Sequence, residues 1–291
     1  MTKTANYNRE YEKELLARGV KLWPRMIEVP NGCWLCGKTK AKLTNAKLFP
    51  DWLLEAFNCG NDMYTSAHLS PLGQVLDQRE TPFKDLACGQ ICQECIDGWI
   101  SELDTDMKPL FLGDVNKALD EQPLLMARFF AKTAALINIS QQRRVQLPAA
   151  ARHGLSNKKT MPKGWRVYAF SCSTEGLDTI SWTQGSPAVS WLSKEQDKIT
   201  LGNVFVCSLK FNNLGALVYW HSEEVQLLEP ALPLKRLWPN PTGTLSDVAY
   251  HPYMGMFVAD IHGNKAGWAE LLADARAQAA DPDVDLFDFS R

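Results

Sequence analysis

The sequence predicts an α+β protein, and three observations carry that reading. Two cysteine pairs, CWLC at Cys33–Cys36 and CQEC at Cys92–Cys95, mark an N-terminal unit built around tight turns. A nearly all-apolar stretch from Pro123, PLLMARFFAKTAALIN, predicts buried helix in the middle of the chain. Beyond residue 164 the character changes to runs rich in Val, aromatic and β-branched residues, which predict a β-rich C-terminal half closed by a terminal helix.

Element by element, residues 1–30 form an N-terminal segment with a helix near Arg9 to Arg18, broken by Pro24 and Pro30. The paired-cysteine unit spans 31–112. Within it, KLTNAKLFPDWLLEAF predicts a short strand to Leu48, a stop at Pro50, and a helix with Trp52, Leu53 and Phe57 on its apolar side. Asn58 to Ala87 is rich in Gly, Pro, Ser and Asn and reads as loop. After the second pair, Trp99, Leu103 and Met107 recur at i, i+4, i+8, so a helix leaves the cysteines with one apolar face.

Residues 113–164 hold the central helix, with Arg128 and Lys132 on one stripe, and then a basic connection containing Pro and Gly. In 165–291, WRVYAFSC, AVSWLS, KITLGNVFVCSLKF and ALVYWH predict strands, with Asn212-Asn213-Leu214-Gly215 turning between the last two. EPALPLKRLWPNPTG reads as an irregular covering segment. AGWAELLADARAQAA predicts an amphipathic helix, and DPDVDLFDFSR a frayed acidic tail.

Thiolates at C-x2-C spacing can place two sulfurs on one metal ion, and two such pairs complete a tetrahedral site. Cys33, Cys36, Cys92 and Cys95 are therefore expected to hold one structural Zn²⁺, with no open position left for chemistry. Cys88, four residues before Cys92, is a competing ligand, and eight ordinary buried cysteines are the bland alternative. Cys172 and Cys207 sit in strand-like apolar runs and are expected in the core. His153, His221, His251 and His262 have no metal-binding spacing, and neither a nucleophile elbow nor a phosphate loop is present.

Of 291 residues, 45% are hydrophobic and 22% charged, the balance of an ordinary globular protein large enough for a substantial core. No run of about 18 uncharged apolar residues exists to span a membrane. The polar N-terminus lacks an apolar stretch of signal-peptide type, which points to the cytoplasm, where paired thiols favour metal over disulfide. The net charge of −2 conceals an asymmetry, because no Asp or Glu occurs between Gln122 and Thr174. That stretch carries nine cations: Arg128, Lys132, Arg143, Arg144, Arg152, Lys158, Lys159, Lys163 and Arg166. Such a run is either a phosphate-binding face or a solvated connection offset by acidic neighbours.

The order of a C-x2-C knuckle, L-T-x-x-x-L-F-P-x-W-L, and a second knuckle running into G-W-x-S-x-L-x-x-x-x-K-P-L resembles the zinc-containing HNH-endonuclease-like proteins of bacteria and their phages. The likeness covers residues 31 to about 112 and continues more weakly through the FFAKTAALI helix, the W-R-V-Y strand and the LWPNP segment. It implies a ββα-metal-like unit framed by zinc knuckles, with a His general base and Asn or His ligands for a catalytic divalent metal. The base position is occupied here by Lys47, preceded by Ala46. An ordinary lysine, with a pKa of about 10.4, is a cation at neutral pH and cannot accept a proton from water. Where C-N-N-G-W is expected, the chain reads Cys95-Ile96-Asp97-Gly98-Trp99; Ile96 cannot bind metal, and Asp97 alone is a poor divalent site. His68, in the loop between the knuckles, is the candidate for rescue, with Asp51, Glu102 and Asp104 nearby in sequence.

These residues imply a degenerate nuclease scaffold: a non-catalytic HNH-like protein binding nucleic acid or an acidic protein partner through Lys47, Arg143, Arg144, Lys158, Lys159 and Lys163. A metal-dependent nuclease with an altered site and a protein–protein interaction module are the alternatives. Association with phage or anti-phage biology follows from the resemblance alone.

Overall fold

The computed structural model describes residues 32–69, 75–140, 147–172, 179–185, 188–192, 199–221 and 234–247. The expected N-terminal and C-terminal helices, the acidic tail, Arg143 and Arg144 lie outside them. Mixed helix and sheet is found as expected, in an α+β arrangement.

In the cysteine-rich unit, strand β1 (Leu43–Lys47) pairs antiparallel with β4 (Ala87–Cys92), Leu43 opposite Cys92 and Lys47 opposite Ala87. The chain between them does not stay irregular. Helix α1 (Asp51–Ala56) begins directly after Pro50 and buries Leu53 and Leu54. Strands β2 (Met63–Leu69) and β3 (Val75–Pro82) then form an antiparallel hairpin where the sequence reads as loop. Thr65, Gln78, Arg79 and Glu80 of this ribbon are all exposed, so it carries little of the apolar alternation that marks a half-buried strand. Its root is fixed instead by Tyr64, which stacks on Trp182 with ring centres 3.9 Å apart.

After β4 come a single turn α2 (Gln93–Cys95), a π-helical turn (Ile96–Ile100) and α3 (Ser101–Leu112), the expected helix leaving the second cysteine pair. Its Leu103 and Met107 are buried, as their spacing predicts. Helix α4 (Val115–Glu121) is capped by Asp114, whose carboxylate accepts from the Lys117 N–H at 3.1 Å. Helix α5 (Pro123–Ser140) buries every residue from Met126 to Ile139, because it touches β4 and α3 as well as strands of the large sheet. A short helix α6 (Ala149–His153) lies within the basic connection.

The C-terminal half contributes β5 (Trp165–Ser171), β6 (Ile180–Gly185), β7 (Ala188–Leu192), β8 (Ile199–Phe211), β9 (Leu214–His221) and β10 (Lys235–Trp238). The strand order is β10-β5-β9-β8-β6, every neighbouring pair antiparallel, and β7 pairs with the first part of β8. Asn212, at φ +55°, makes the β8–β9 turn expected from Asn212-Asn213. Strand β10 is a departure, since LKRLWPNP was expected to cover the fold irregularly. Leu237 is fully buried and its neighbours Arg236 and Trp238 are only partly so, so the pleat alternates over a segment too short to read beside its prolines.

One apolar cluster runs from the cysteine-rich unit to the sheet. Phe49, from the apolar-apolar-Pro triplet, meets Phe83 of the hairpin exit, Trp182 of β6 and Phe211 of β8, with centroids 5.5–6.2 Å apart.

Candidate metal centre

The first cysteine pair sits in a turn shaped by its glycines. The Cys33 N–H donates to Lys38 O at 3.0 Å and the Gly37 N–H to Cys33 O at 2.8 Å, folding the backbone around the thiols. Gly37 has φ +76°, and a Cβ there would lie 2.9 Å from the His153 ring, so conformation and space both require glycine. At Gly32 a Cβ would come within 2.5 Å of Lys38 O. The second pair sits at a junction: Cys92 ends β4 in extended conformation and Cys95 ends the following turn, turning both thiols back toward the first pair.

All four sulfurs lie within 4.8 Å of one another. Cys36 and Cys92 approach to 3.6 Å, and Cys33 and Cys95 to 3.9 Å. Four sulfurs about 2.3 Å from a central ion would be separated by about 3.8 Å, so these thiols could close on one tetrahedral metal. Three of them are buried and Cys36 is half-buried, which suits a closed, structural site. Cys88 does not join the set. It is buried opposite Ala46 in β4, and burial pushes its thiol up to about 12.

The electrostatics inside the set are uneven. Cys33 is held down to about 4, first by the Cys95 thiol that donates to it, and also by backbone N–H groups including that of Cys92, at 3.2 Å. Cys95, as that donor, is raised, and burial raises it further. Burial also raises Cys36. Four close thiols cannot all shed their protons without a central positive charge, which is what a metal ion would supply.

The knuckle is clamped by a residue the sequence reading placed in the basic connection. Arg152, buried in α6, lies over the Trp34 ring at 4.5 Å, donates to Trp34 O, and donates from Nε to Leu147 O at 3.1 Å. Trp34 is also held by Gln90, whose side-chain oxygen accepts the indole N–H at 2.7 Å and whose backbone carbonyl accepts the Trp34 N–H at 3.0 Å. Beside it, His153 has its imidazole pKa lowered by burial and then by Arg152. No motif marks Arg152 or Gln90, and only the non-polar setting of Trp34 between two cysteines hinted that something must cover it.

The positions that the resemblance would make catalytic fall on separate features. Lys47 stands exposed at the end of β1, its ammonium 2.5 and 2.8 Å from the two Asp51 carboxylate oxygens. Ile96 packs against the core, and exposed Asp97 accepts from Gln93 Nε2 at 2.8 Å. His68 belongs to β2, opposite Asp77, about 17 Å along the ribbon from Met63. Among the described residues, only the four cysteines form a set of three or more His, Cys, Asp or Glu side chains close enough to share an ion.

The acid-free stretch divides in two. Arg128, Lys132, Arg152 and Arg166 are buried inside the fold. Lys132 pairs with Asp104 at 2.6 Å, Arg128 reaches Leu155 O at 3.4 Å, and Arg166 Nε donates to His221 Nε2 at 3.2 Å. Lys158, Lys159 and Lys163 are exposed, and Lys158 pairs with Glu102 of α3 at 2.8 Å. Among the described residues, no helix is long and apolar enough to cross a membrane. No family model matches the chain, and no curated protein or solved structure is significantly similar to it.

Proposed function

We propose that this is a zinc-organised, HNH-like protein that binds nucleic acid and has lost the hydrolytic apparatus of its scaffold. The metal would be a structural Zn²⁺ on Cys33, Cys36, Cys92 and Cys95, the ion whose tetrahedral thiolate chemistry these spacings suit best. The Lys47–Asp51 pair is the observation that carries the non-catalytic reading. It sets a cation, with a carboxylate already engaged, where a neutral imidazole would have to take a proton from water. Lys158, Lys159 and Lys163 supply exposed positive charge for phosphate contact, while the buried cations of the same stretch serve the fold.

The deciding experiment measures cleavage of DNA and RNA with added Mg²⁺, Mn²⁺ or Ni²⁺ beside binding of the same nucleic acids without added metal. The expected result is binding without cleavage, with log K falling by about 0.9 per duplex phosphate neutralised for each unit of log salt. Cleavage that survives Lys47→Ala and is lost with His68→Ala or Asp97→Ala would establish a rearranged nuclease instead. Absence of nucleic-acid binding, with capture of an acidic protein, would turn the reading toward the interaction module.

A further inference from the structure

A second run without acids lies beside the four cysteines. From Val29 to Pro50 the chain has no Asp or Glu, and it carries Lys38, Lys40, Lys42 and Lys47. Two of these cations are already balanced, Lys38 by Glu94 and Lys47 by Asp51. Lys40 and Lys42 are exposed, and among the described residues neither has an ion pair. They lie on the strip that leaves the first cysteine turn and enters β1. Lys38 O accepts the Cys33 N–H at 3.0 Å, and Lys42 O accepts the N–H of Gln93, the neighbour of Cys92, at 3.2 Å. The strip is therefore tied to both cysteine pairs, and the placement of its lysines depends on the pairs coming together.

The two acid-free stretches meet at this turn. Gly37 lies against the His153 ring, and Arg152 over the Trp34 ring. Beyond His153 come Ser156, Asn157, Lys158, Lys159 and Thr160, all exposed. Lys158 is balanced by Glu102, whereas Lys159 has no ion pair among the described residues. Its backbone N–H is held by the Asn157 side chain at 2.9 Å, which fixes the local turn. Lys40, Lys42 and Lys159 thus flank one junction as uncompensated cations. The segments that carry them add the exposed hydroxyls of Thr39, Ser156 and Thr160 and no carboxylate.

We propose that the knuckle strip and the connection after His153 form one phosphate-binding surface, with Lys40, Lys42 and Lys159 contacting the backbone of a nucleic acid. Lysine meets phosphate as a point charge, and hydroxyl groups beside it donate to the same oxygens, a combination that positions a backbone without reading its sequence. The inference rests on the nucleic-acid reading above and adds to it the lysines of the first knuckle, which no motif marks. Lys38 and Lys158, each held by a carboxylate, take a lesser part.

The test titrates the full chain with a short fluorescent DNA duplex of mixed sequence over a series of salt concentrations. Three variants are compared with the parent: Lys40→Gln with Lys42→Gln, Lys159→Gln, and all three together. Their side chains are exposed, so circular dichroism should stay unchanged. Lys117→Gln, in α4 and paired with Glu121 at 3.8 Å, is the control. The expected result is a salt slope flatter by about 0.9 for each phosphate contact removed, hence by about 1.8 for the knuckle pair, with Lys159→Gln adding to it and the control unchanged. If the parent binds the duplex and the knuckle pair leaves its slope unchanged, the inference is overturned and the nucleic-acid reading stands on Lys158, Lys159 and Lys163. An equal loss in Lys117→Gln would also overturn it, since any surface lysine would then serve. A parent that does not bind the duplex would overturn the inference and the reading beneath it together.

Discussion

Arg152 lies over the indole of Trp34 at 4.5 Å and donates to its carbonyl, joining a helix of the basic connection to the middle of the first cysteine pair across 118 residues. A guanidinium suits this place because one planar group can stack on the ring and fork its N–H groups to two carbonyls. Around it, α6 is tied in every direction. The Trp165 indole donates to Ala151 O at 2.8 Å, and the Asn138 side chain accepts the Leu147 N–H at 3.1 Å.

Removing that clamp should destabilise the protein. Arg152→Ala leaves two buried carbonyls short of a charged donor and uncovers the Trp34 ring, and a loss of about 2–3 kcal/mol is expected. Arg152→Lys should recover only part of it, since an ammonium cannot fork between the two carbonyls while stacking. Urea unfolding of the metal-loaded proteins measures both, and equal stability of the alanine variant and the parent would refute the clamp.

Metal content offers a second check. Freshly purified protein should contain one equivalent of zinc. Cys92→Ser should lose most of it and unfold at least the N-terminal unit, because structural zinc contributes roughly 10–16 kcal/mol of apparent binding free energy in small zinc-finger peptides. Elemental analysis finding no tightly bound metal in the parent would sink this expectation.

The buried ion pair between α5 and α3 should respond asymmetrically. The Lys132 side chain is 1% exposed and that of Asp104 17%, so the lysine depends more heavily on its partner. Asp104→Ala strands the ammonium in the interior and should cost about 3–5 kcal/mol, whereas Lys132→Met, which fills the same space without charge, should cost much less. Denaturation midpoints of the two variants in the reverse order would show that Lys132 finds another acceptor.

Alkaline pH supplies a fourth prediction. The Cys88 thiol is raised from 9.0 to about 12, chiefly by burial. Its contribution is therefore complete below pH 9 and is lost as pH rises toward about 12, because the unfolded chain deprotonates there while the folded one does not. The slope this group adds should approach 1.4 kcal/mol per pH unit across that window. Stability profiles of the parent and Cys88→Ala should diverge in slope only above pH 9, and parallel profiles would count against a buried neutral thiol at this position.

What could be read from the chain depended on how local its signal was. The two cysteine pairs that come together, the helix after Cys95, the Pro123 helix and the Asn212-Asn213 turn are each written in a few neighbouring residues, and each appears where expected. The β2–β3 hairpin escaped because an exposed ribbon has no apolar face to declare it. Strand β6 alternates buried Ile180 and Trp182 with more exposed Ser181 and Thr183, but over too few positions to stand out beside the Gly- and Ser-containing residues on either side. The fate of the basic stretch was beyond reach for a different reason. Whether a cation is a surface or a clamp depends on its partner, and Lys132 with Asp104, or Arg152 with Trp34, meet only in three dimensions.

The separation between the two cysteine pairs also bears on the order of events during synthesis. Cys92 follows Cys33 by 59 residues, so at about 5–20 residues per second the first pair waits roughly 3–12 s for its partners to be made. Throughout that interval the nascent chain offers two thiols able to pick up metal only weakly or to be oxidised. Arg152, which covers the first pair, arrives later still. A metal centre on these four cysteines would thus have to wait for the second pair and for Arg152, and its yield would follow the supply of the ion and of reducing equivalents while the chain is still being translated.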